Sequence, residues 1–297
     1  ITSGKITEEE KKRSYRARGM AGMRLGDFDD AMNDAKLSGD KSLKKNINDC
    51  QTLLKQAKKQ EENGKLSNAI ETYEQVIKVA ISGVEYLISA CKCALKLGDR
   101  DKFTDLSHKA IQLAPKSSQV LEMRGRFFLC DAELDMAIRH FKLCRQYASG
   151  SSNCTIFLRA STTYNDKYTK ALNAITQKNF NEAKEFIEAC ENISTQRCPE
   201  GSSMYRKVSA LKAKELMAEG KKSNALKYLA DLLNKDPNCT DFLLERADIY
   251  LQDNELDNAM KDYQQARKID DRNKRAIDGI EKVSQIQEKE KNVAKKN

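Results

Sequence analysis

The sequence predicts an all-α fold built from repeated pairs of antiparallel helices, and three observations lead to this prediction. Charged residues make up 33% of the 297-residue chain and hydrophobic residues 39%, a mixture typical of amphipathic helices. Only three prolines occur, so few helices are interrupted. Small and aromatic residues also recur at fixed offsets along the chain, as expected where paired helices cross.

The clearest unit is LLERADIYLQDNELDNAMKDYQQARKIDD, at residues 243–271. With Ala259 as the reference position, Ala247 lies at −12, Tyr263 at +4 and Ala266 at +7. This spacing is typical of the tetratricopeptide repeat (TPR), a helix-turn-helix unit of about 34 residues. One such unit cannot bury its own apolar face, so the spacing predicts neighbouring units along the chain.

The same spacing recurs upstream, with reference positions at Ala31, Ala69, Phe103, Ala137, Ala183 and Ala225. We therefore expect about seven repeats in a right-handed α-solenoid, followed by a long C-terminal helix. The expected segments are a first repeat at 1–42, repeats two to four at 43–150, repeats five to seven at 151–266, and a capping or linker helix at 267–297.

The first three units differ at their helix crossings and turns. Gly19 at −12 of the first unit permits close helix contact but lowers helix stability, and a long helix is expected to begin near Leu43. The second unit has an NGK turn, in which Gly64 tolerates a positive φ angle. The third unit places Phe103 at the alanine position, which predicts repacking or a wider crossing there.

The last four units keep the register with small or aromatic residues. Gly125 and Phe141 are in register in the fourth unit, and Ala171 lies at −12 of the fifth. The sixth unit ends in Pro237, where proline stops one helix and opens the next unit. After the seventh unit, residues 272–297 predict one long, increasingly polar helix.

The composition argues against nucleic-acid and membrane partners. The net charge of +9 comes from 53 basic and 44 acidic residues that are interspersed rather than clustered, which favours a solvated helical surface. The sequence contains no apolar run of about 18 residues, so no membrane insertion is expected.

The sequence also argues against catalysis. His108 and His140 are the two histidines, and neither belongs to a metal-binding pattern. No phosphate-binding loop, nucleophile elbow or dinucleotide fingerprint occurs. We therefore expect no enzyme activity, no catalytic residues, no metal and no cofactor.

Two cysteine pairs are disulfide candidates. Cys144 ends one predicted helix and Cys154 begins the next, and Cys190 and Cys198 are related in the same way. A disulfide across such a short loop would distort neither helix, and free thiols are the alternative. Cys91 falls at −12 of its unit, where a small buried side chain is expected.

Three Asn-X-Ser/Thr tripeptides are glycosylation candidates, at Asn153, Asn192 and Asn238. Such tripeptides also arise by chance in a chain rich in Asn and Ser. Together with the cysteine pairs, they favour an oxidising lumen as the location of the protein.

The first helices of the early units carry the candidate client-binding residues, which are Met20, Met23, Leu54, Ile88 and Leu95. Methionine adapts to irregular partners, although Met pairs at helical spacing also occur in cores. A clamp for acidic C-terminal tails is disfavoured, because none of the positions after −12 holds the asparagine that such clamps use. Lys214 and Asp248 are expected to face inward in the later units, which favours a spacer role there.

The order of the units, and above all ERADIYLQDNELDNAMKDYQQARKIDDRNKRAIDGIEKV, resembles a known family. This family is the TPR-containing J-domain co-chaperones of the endoplasmic reticulum (ER) lumen, also named for inhibition of the interferon-induced protein kinase. The Cys144 to Cys154 spacing and the long final helix are similar as well.

The resemblance implies a fold of nine repeats in three subdomains, of which this chain resembles the last seven repeats. It implies that the first subdomain binds unfolded clients and that a J domain stimulates BiP, a lumenal chaperone of the Hsp70 class. No HPD tripeptide occurs here, so J-domain activity is expected outside this chain. The expected function is client capture, and the alternatives are a rigid spacer or a cytosolic TPR adaptor.

Overall fold

A computed structural model describes residues 7–148 and 152–294. Fifteen helices and no strand occur among these residues, which confirms the predicted all-α class. None of the described helices is long and apolar enough to cross a bilayer. The ends of the predicted segments at 1, 150, 151 and 297 lie outside the described residues.

The chain divides into two compact units. Unit 1 comprises the residues up to Arg124 together with His140–Cys154, and unit 2 comprises Gly125–Arg139 and the residues from Thr155 onward. The helices of unit 1 are α1 (Glu8–Leu25), α2 (Phe28–Ser38), α3 (Lys41–Glu62), α4 (Leu66–Val79), α5 (Val84–Leu97) and α6 (Arg100–Leu113). Residues of α7 (Ser118–Cys130) and α8 (Leu134–Tyr147) are divided between the two units.

The remaining helices belong to unit 2, apart from the first residues of α9. They are α9 (Ser152–Thr176), α10 (Phe180–Arg197), α11 (Ser203–Ala218), α12 (Lys222–Lys235), α13 (Thr240–Gln252), α14 (Leu256–Ile269) and α15 (Lys274–Ala294). Helices α1 to α14 thus form seven consecutive helix pairs, and α15 is the predicted long C-terminal helix.

Burial confirms the register of the repeats. The seven reference residues are at most 1% exposed, namely Ala31, Ala69, Phe103, Ala137, Ala183, Ala225 and Ala259. The residues at −12 are buried as well, and they are Gly19, Ala57, Cys91, Gly125, Ala171, Ala213 and Ala247. A small side chain at each crossing lets the two helices of a pair approach closely, and Phe103 is accommodated without exposure.

The turn within each pair has a fixed conformation. The residue five positions before each reference residue has a positive φ angle, and these residues are Gly26, Gly64, Gly98, Ala132, Lys178, Gly220 and Asn254. A left-handed residue at the end of a helix satisfies its last carbonyl groups and reverses the chain. The φ angle of +72° at Gly64 confirms the prediction from the NGK turn.

Helix α3 is long because it contributes to two packing layers of unit 1. Its first half buries Leu43, Ile47 and Cys50, and its second half buries Ala57 at the crossing with α4. A methyl group at Gly19 would lie 3.1 Å from the Leu43 side chain, so the start of α3 packs directly on α1. The predicted long helix near Leu43 therefore begins at Lys41.

Candidate functional site

The predicted client-binding residues all lie in unit 1, on first helices of their pairs. Met20 on α1 is 41% exposed and Leu95 on α5 is 38% exposed, so both can contact a partner. Met23 and Leu54 are half-buried. These four residues are therefore accessible to solvent, and their role in client binding stays a prediction.

Ile88 does not belong to this surface, and its prediction as a client-binding residue is wrong. Its side chain is 4% exposed. Helix α5 packs against both α4 and α6 and buries seven of its residues, which leaves little of its surface for a ligand. Ile88 is therefore part of the core of unit 1.

A groove in unit 2 runs between α11 and α13, the first helices of the sixth and seventh pairs. It has a volume of ≈ 280 Å³ and is lined by Lys214, Met217, Ala218, Glu245, Asp248, Ile249 and Gln252. Lys214 and Asp248 lie in it, as their inward positions predicted. Its volume is just below the roughly 300–1,000 Å³ of small-molecule sites, so it suits one or two side chains of a peptide.

The small crossing residues position this groove. Ala213 and Ala247 are buried where α11 and α13 cross their partner helices, and the next residue on each helix, Lys214 or Asp248, faces the groove. The apolar lining residues are Met217, Ala218 and Ile249, and the polar or charged ones are Lys214, Glu245, Asp248 and Gln252.

An ion-pair network fixes the acidic side of the groove. Nη1 of Arg275, at the start of α15, donates to Oε1 of Glu245 over 2.8 Å, and Arg275 also pairs with Asp248. Nζ of Lys214 lies 3.5 Å from Oε1 of Glu245. The Tyr263 hydroxyl donates to Asp248, and burial together with this carboxylate raises the pKa of Tyr263.

Glu245 and Asp248, the two carboxylates of the groove, thus form ion pairs with basic residues of the same chain. Glu245 is 6% exposed, and its charge is compensated by Arg275 and Lys214. Such a network holds the acidic side chains in place, and it leaves the apolar lining residues as the part of the groove that a partner can cover. Within the described residues, no group of three metal-ligating side chains occurs. The arrangement supports non-covalent binding.

The disulfides differ in part from the sequence prediction. Cys144, on α8, is bonded to Cys154, on α9. The predicted pair of Cys190 with Cys198 is wrong, because Cys198 is bonded to Cys130 and Cys190 is a buried free thiol. Cys130 ends α7 and Cys198 caps α10, and their Cα atoms lie 5.3 Å apart.

The five free cysteines are all buried. Burial raises the pKa of Cys91 and of Cys190 to about 12 and that of Cys93 to about 11. These thiols therefore remain protonated at neutral pH and are poor nucleophiles. Cys91 is 0% exposed, as its position at a helix crossing predicted.

The three candidate glycosylation asparagines are exposed, but they lie in different surroundings. Asn238 is in the loop between α12 and α13, and Asn153 is in the first turn of α9. Asn192 lies within α10, where the hydroxyl of the accompanying Ser194 is buried. Of the three sequon asparagines, Asn238 is thus the one that lies outside a helix.

Comparisons with known proteins agree with the repeat architecture. A family model described as tetratricopeptide repeat matches residues 211–274. The chain is also 24% identical over 204 residues to the DnaJ homolog subfamily C member 3 homolog of Dictyostelium discoideum. That match covers 69% of this chain and 40% of the relative, so the chain spans less than half of the relative's length.

Solved structures share the fold at low sequence identity. The crystal structure of the P58(IPK) TPR domain matches with a TM-score of 0.68 and 16% identity, covering 94% of this chain and 80% of that one. The Cut9–Hcn1 hetero-tetramer of the APC/C matches with a TM-score of 0.50 and 10% identity, covering 76% and 48%. The fold is an α-solenoid of TPR type, and the chain is similar in sequence to a DnaJ C homolog. No enzyme family is indicated.

Proposed function

We propose that this chain is the client-binding part of a J-domain co-chaperone of the ER lumen. It captures unfolded segments by non-covalent contact and passes them to an Hsp70-class chaperone, BiP, through a J domain outside this chain. The similarity to a DnaJ C homolog and to the P58(IPK) TPR domain supports this assignment.

The observation that carries the proposal is the apolar surface on first helices of the repeats. Met20 and Leu95 are exposed in unit 1, and Met217 lines the α11–α13 groove in unit 2. Unfolded proteins differ from folded ones chiefly by their exposed apolar side chains. Flexible methionines bind such varied side chains without demanding one sequence.

The lumenal location rests on the cysteines and the sequons. Disulfides persist in oxidising compartments and are rare in the cytosol. Two disulfides join residues of this chain, and three sequon asparagines are exposed. A cytosolic TPR adaptor would instead carry nine reducible thiols.

Suppression of aggregation tests the proposed function. A chemically denatured model protein is diluted into buffer with this chain, and light scattering is followed. We expect suppression by the wild type, and its loss in a Met20→Ser/Leu95→Ser variant and in a Met217→Ser variant. Matched controls are Leu37→Ser, an exposed apolar residue of a second helix, and Met260→Ser, a partly buried one.

One observation favours a rigid spacer as the second candidate function. Arg275 ties α15 to α13 by ion pairs with Glu245 and Asp248, which stiffens the end of unit 2. A spacer predicts that neither the wild type nor any of these variants suppresses aggregation. Wild-type suppression that persists equally in all variants would place client binding on another surface.

A further inference from the structure

Lys214 is the basic residue among those that line the α11–α13 groove. Its side chain is 52% exposed, and its Nζ lies 3.5 Å from Oε1 of Glu245. The same oxygen already accepts a hydrogen bond from Nη1 of Arg275 over the shorter distance of 2.8 Å. An ammonium group has three N–H donors. Lys214 can therefore donate to a ligand while Arg275 continues to neutralise Glu245.

Asp248, the other carboxylate of the groove, is held more completely. Its Oδ1 accepts a hydrogen bond from the Tyr263 hydroxyl, and its Oδ2 accepts from Nε and Nη2 of Arg275. A carboxylate has about four lone-pair sites, so most of the acceptor capacity of Asp248 is used inside the protein. A basic ligand side chain would meet carboxylates that already have partners, whereas an acidic one would meet the N–H donors of Lys214.

The acids that follow the groove residues in the sequence also have partners within unit 2. Oε1 of Glu219 lies 2.9 Å from Nζ of Lys221. Asp253 forms an ion pair with Lys222. Because each of these carboxylates is paired with its own lysine, neither is expected to repel an acidic side chain that reaches the groove.

Helix geometry places Lys214 one turn away from apolar lining residues. Met217 and Ala218 follow it by three and four residues on α11, so all three lie on one face, about 5.4 Å apart along the axis. In an extended segment, side chains two residues apart point the same way and are separated by about 7 Å. A segment lying along the groove can thus place one side chain on Met217 and Ala218 and the next but one at Lys214.

We propose that Lys214 is a specificity-determining residue of the α11–α13 groove, which selects extended client segments with a large apolar side chain and an acidic side chain two residues away. This inference rests on the proposed function, because it names the class of client segment that the groove binds. The apolar side chain covers Met217 and Ala218, and the carboxylate accepts hydrogen bonds from Lys214. Segments with a basic side chain in place of the acid bind more weakly.

Fluorescence anisotropy with short labelled peptides tests this selection. Each peptide has leucine at its centre, carries the same fluorophore and is blocked at both ends, so that no chain terminus supplies a carboxylate. The first peptide has glutamate two residues before and two residues after leucine, and the others have glutamine or lysine there. We expect the Glu peptide to bind about threefold more tightly than the Gln peptide, as for an exposed ion pair, and the Lys peptide to bind most weakly. High salt should remove these differences.

A peptide of the same composition, with both glutamates directly beside leucine, tests the spacing. Neighbouring side chains point to opposite sides of an extended segment, so this peptide should bind no more tightly than the Gln peptide. Lys214→Gln should bind the Glu and Gln peptides equally and should keep the wild-type affinity for the Gln peptide. The matched control is Lys227→Gln, at an exposed lysine of α12, which should retain the preference. Circular dichroism and thermal melting establish that each variant is folded.

A peptide with serine in place of leucine separates the two proposals. If no leucine peptide binds, or if the serine peptide binds equally well, client capture by this groove is refuted, and the role of Lys214 with it. If binding requires leucine but the Glu, Gln and Lys peptides bind equally, the groove captures clients and the specificity role of Lys214 alone is refuted. A preference for glutamate that persists in Lys214→Gln, or that is lost equally in Lys227→Gln, would also overturn that role.

Discussion

Tyr86 donates a hydrogen bond from its hydroxyl to the carbonyl oxygen of Gly26, 60 residues earlier in the chain, over 2.8 Å. The Tyr86 ring also stacks on Phe28, with centroids 5.8 Å apart. These contacts fasten the α1–α2 turn to the start of α5 within unit 1. A Cβ at Gly26 would lie 2.6 Å from the Tyr86 ring, so this contact requires glycine.

Substitutions at this contact should destabilise unit 1. Tyr86→Phe removes the hydrogen bond and is expected to lower the free energy of unfolding by about 1 kcal/mol. Gly26→Ala should cost more, because it combines a positive φ angle with the clash against Tyr86. The control is Gly39→Ala, which has a φ angle of +71° and open space around its Cβ. Equal urea midpoints for Gly26→Ala and Gly39→Ala would contradict the proposed clash.

Lys178→Gly should stabilise the protein. Lys178 occupies the turn position that glycine holds in four other repeats, and its φ angle is +59°. A non-glycine residue in this conformation is strained, so glycine is expected to raise the free energy of unfolding by roughly 0.5–1 kcal/mol. Lys178→Ala keeps the strain and should change little. Urea denaturation that shows Lys178→Gly to be less stable than Lys178→Ala would refute this account.

Glu219 should make stability depend on pH in the acid range. Hydrogen bonds from Lys221 and Lys184 lower its pKa from 4.5 to about 2. Because the folded pKa is below the unfolded value, this contribution is complete above pH 4.5 and is lost as the pH falls toward 2. Burial raises the pKa of the neighbouring Glu215, which acts in the opposite sense.

Urea denaturation of the wild type and of Glu219→Gln over this pH range checks the prediction. The difference in the free energy of unfolding should be largest near neutral pH, should shrink as the pH falls below 4.5, and should vanish only below pH 2, where Glu219 is protonated in the folded protein as well. A difference that stays constant with pH would show that Glu219 acts through packing rather than through its charge.

The disulfide pattern predicts a thiol count. Nine cysteines with four of them in disulfides leave five free thiols in unfolded, non-reduced protein and nine after reduction. Peptide mapping under non-reducing conditions should recover Cys130 linked to Cys198. A peptide linking Cys190 to Cys198, or a count of nine thiols before reduction, would contradict the pattern.

The repeat register could be predicted from the sequence because it depends on local spacing. A helix crossing excludes a large side chain, so Ala259 and its equivalents recur at positions that the sequence displays directly. The same register places Lys178 and Asn254 five residues before their reference alanines, at the turn position where other repeats have glycine. Glycine at four of the seven turns was the clue to the positive φ angles there.

Contacts between distant segments could not be predicted in this way. The partner of Cys198 is 68 residues away, and only the meeting of the ends of α7 and α10 selects Cys130 over Cys190. The burial of Ile88 depends on how closely α4 and α6 flank α5, which spacing along one helix does not reveal. The contact between the Arg126 guanidinium on α7 and the Phe157 ring on α9 likewise depends on how these two helices pack.

Direct titration of a permanently unfolded protein, kept unfolded by reduction and thiol alkylation, is the most direct test of client binding by this chain. Binding measured by fluorescence anisotropy should be saturable for the wild type. It should be weakened about tenfold in the variant that combines Met20→Ser, Leu95→Ser and Met217→Ser. The same unfolded protein should bind normally to the Leu37→Ser/Met260→Ser control. Absence of wild-type binding, or equal binding by the triple variant, would contradict client capture by these surfaces.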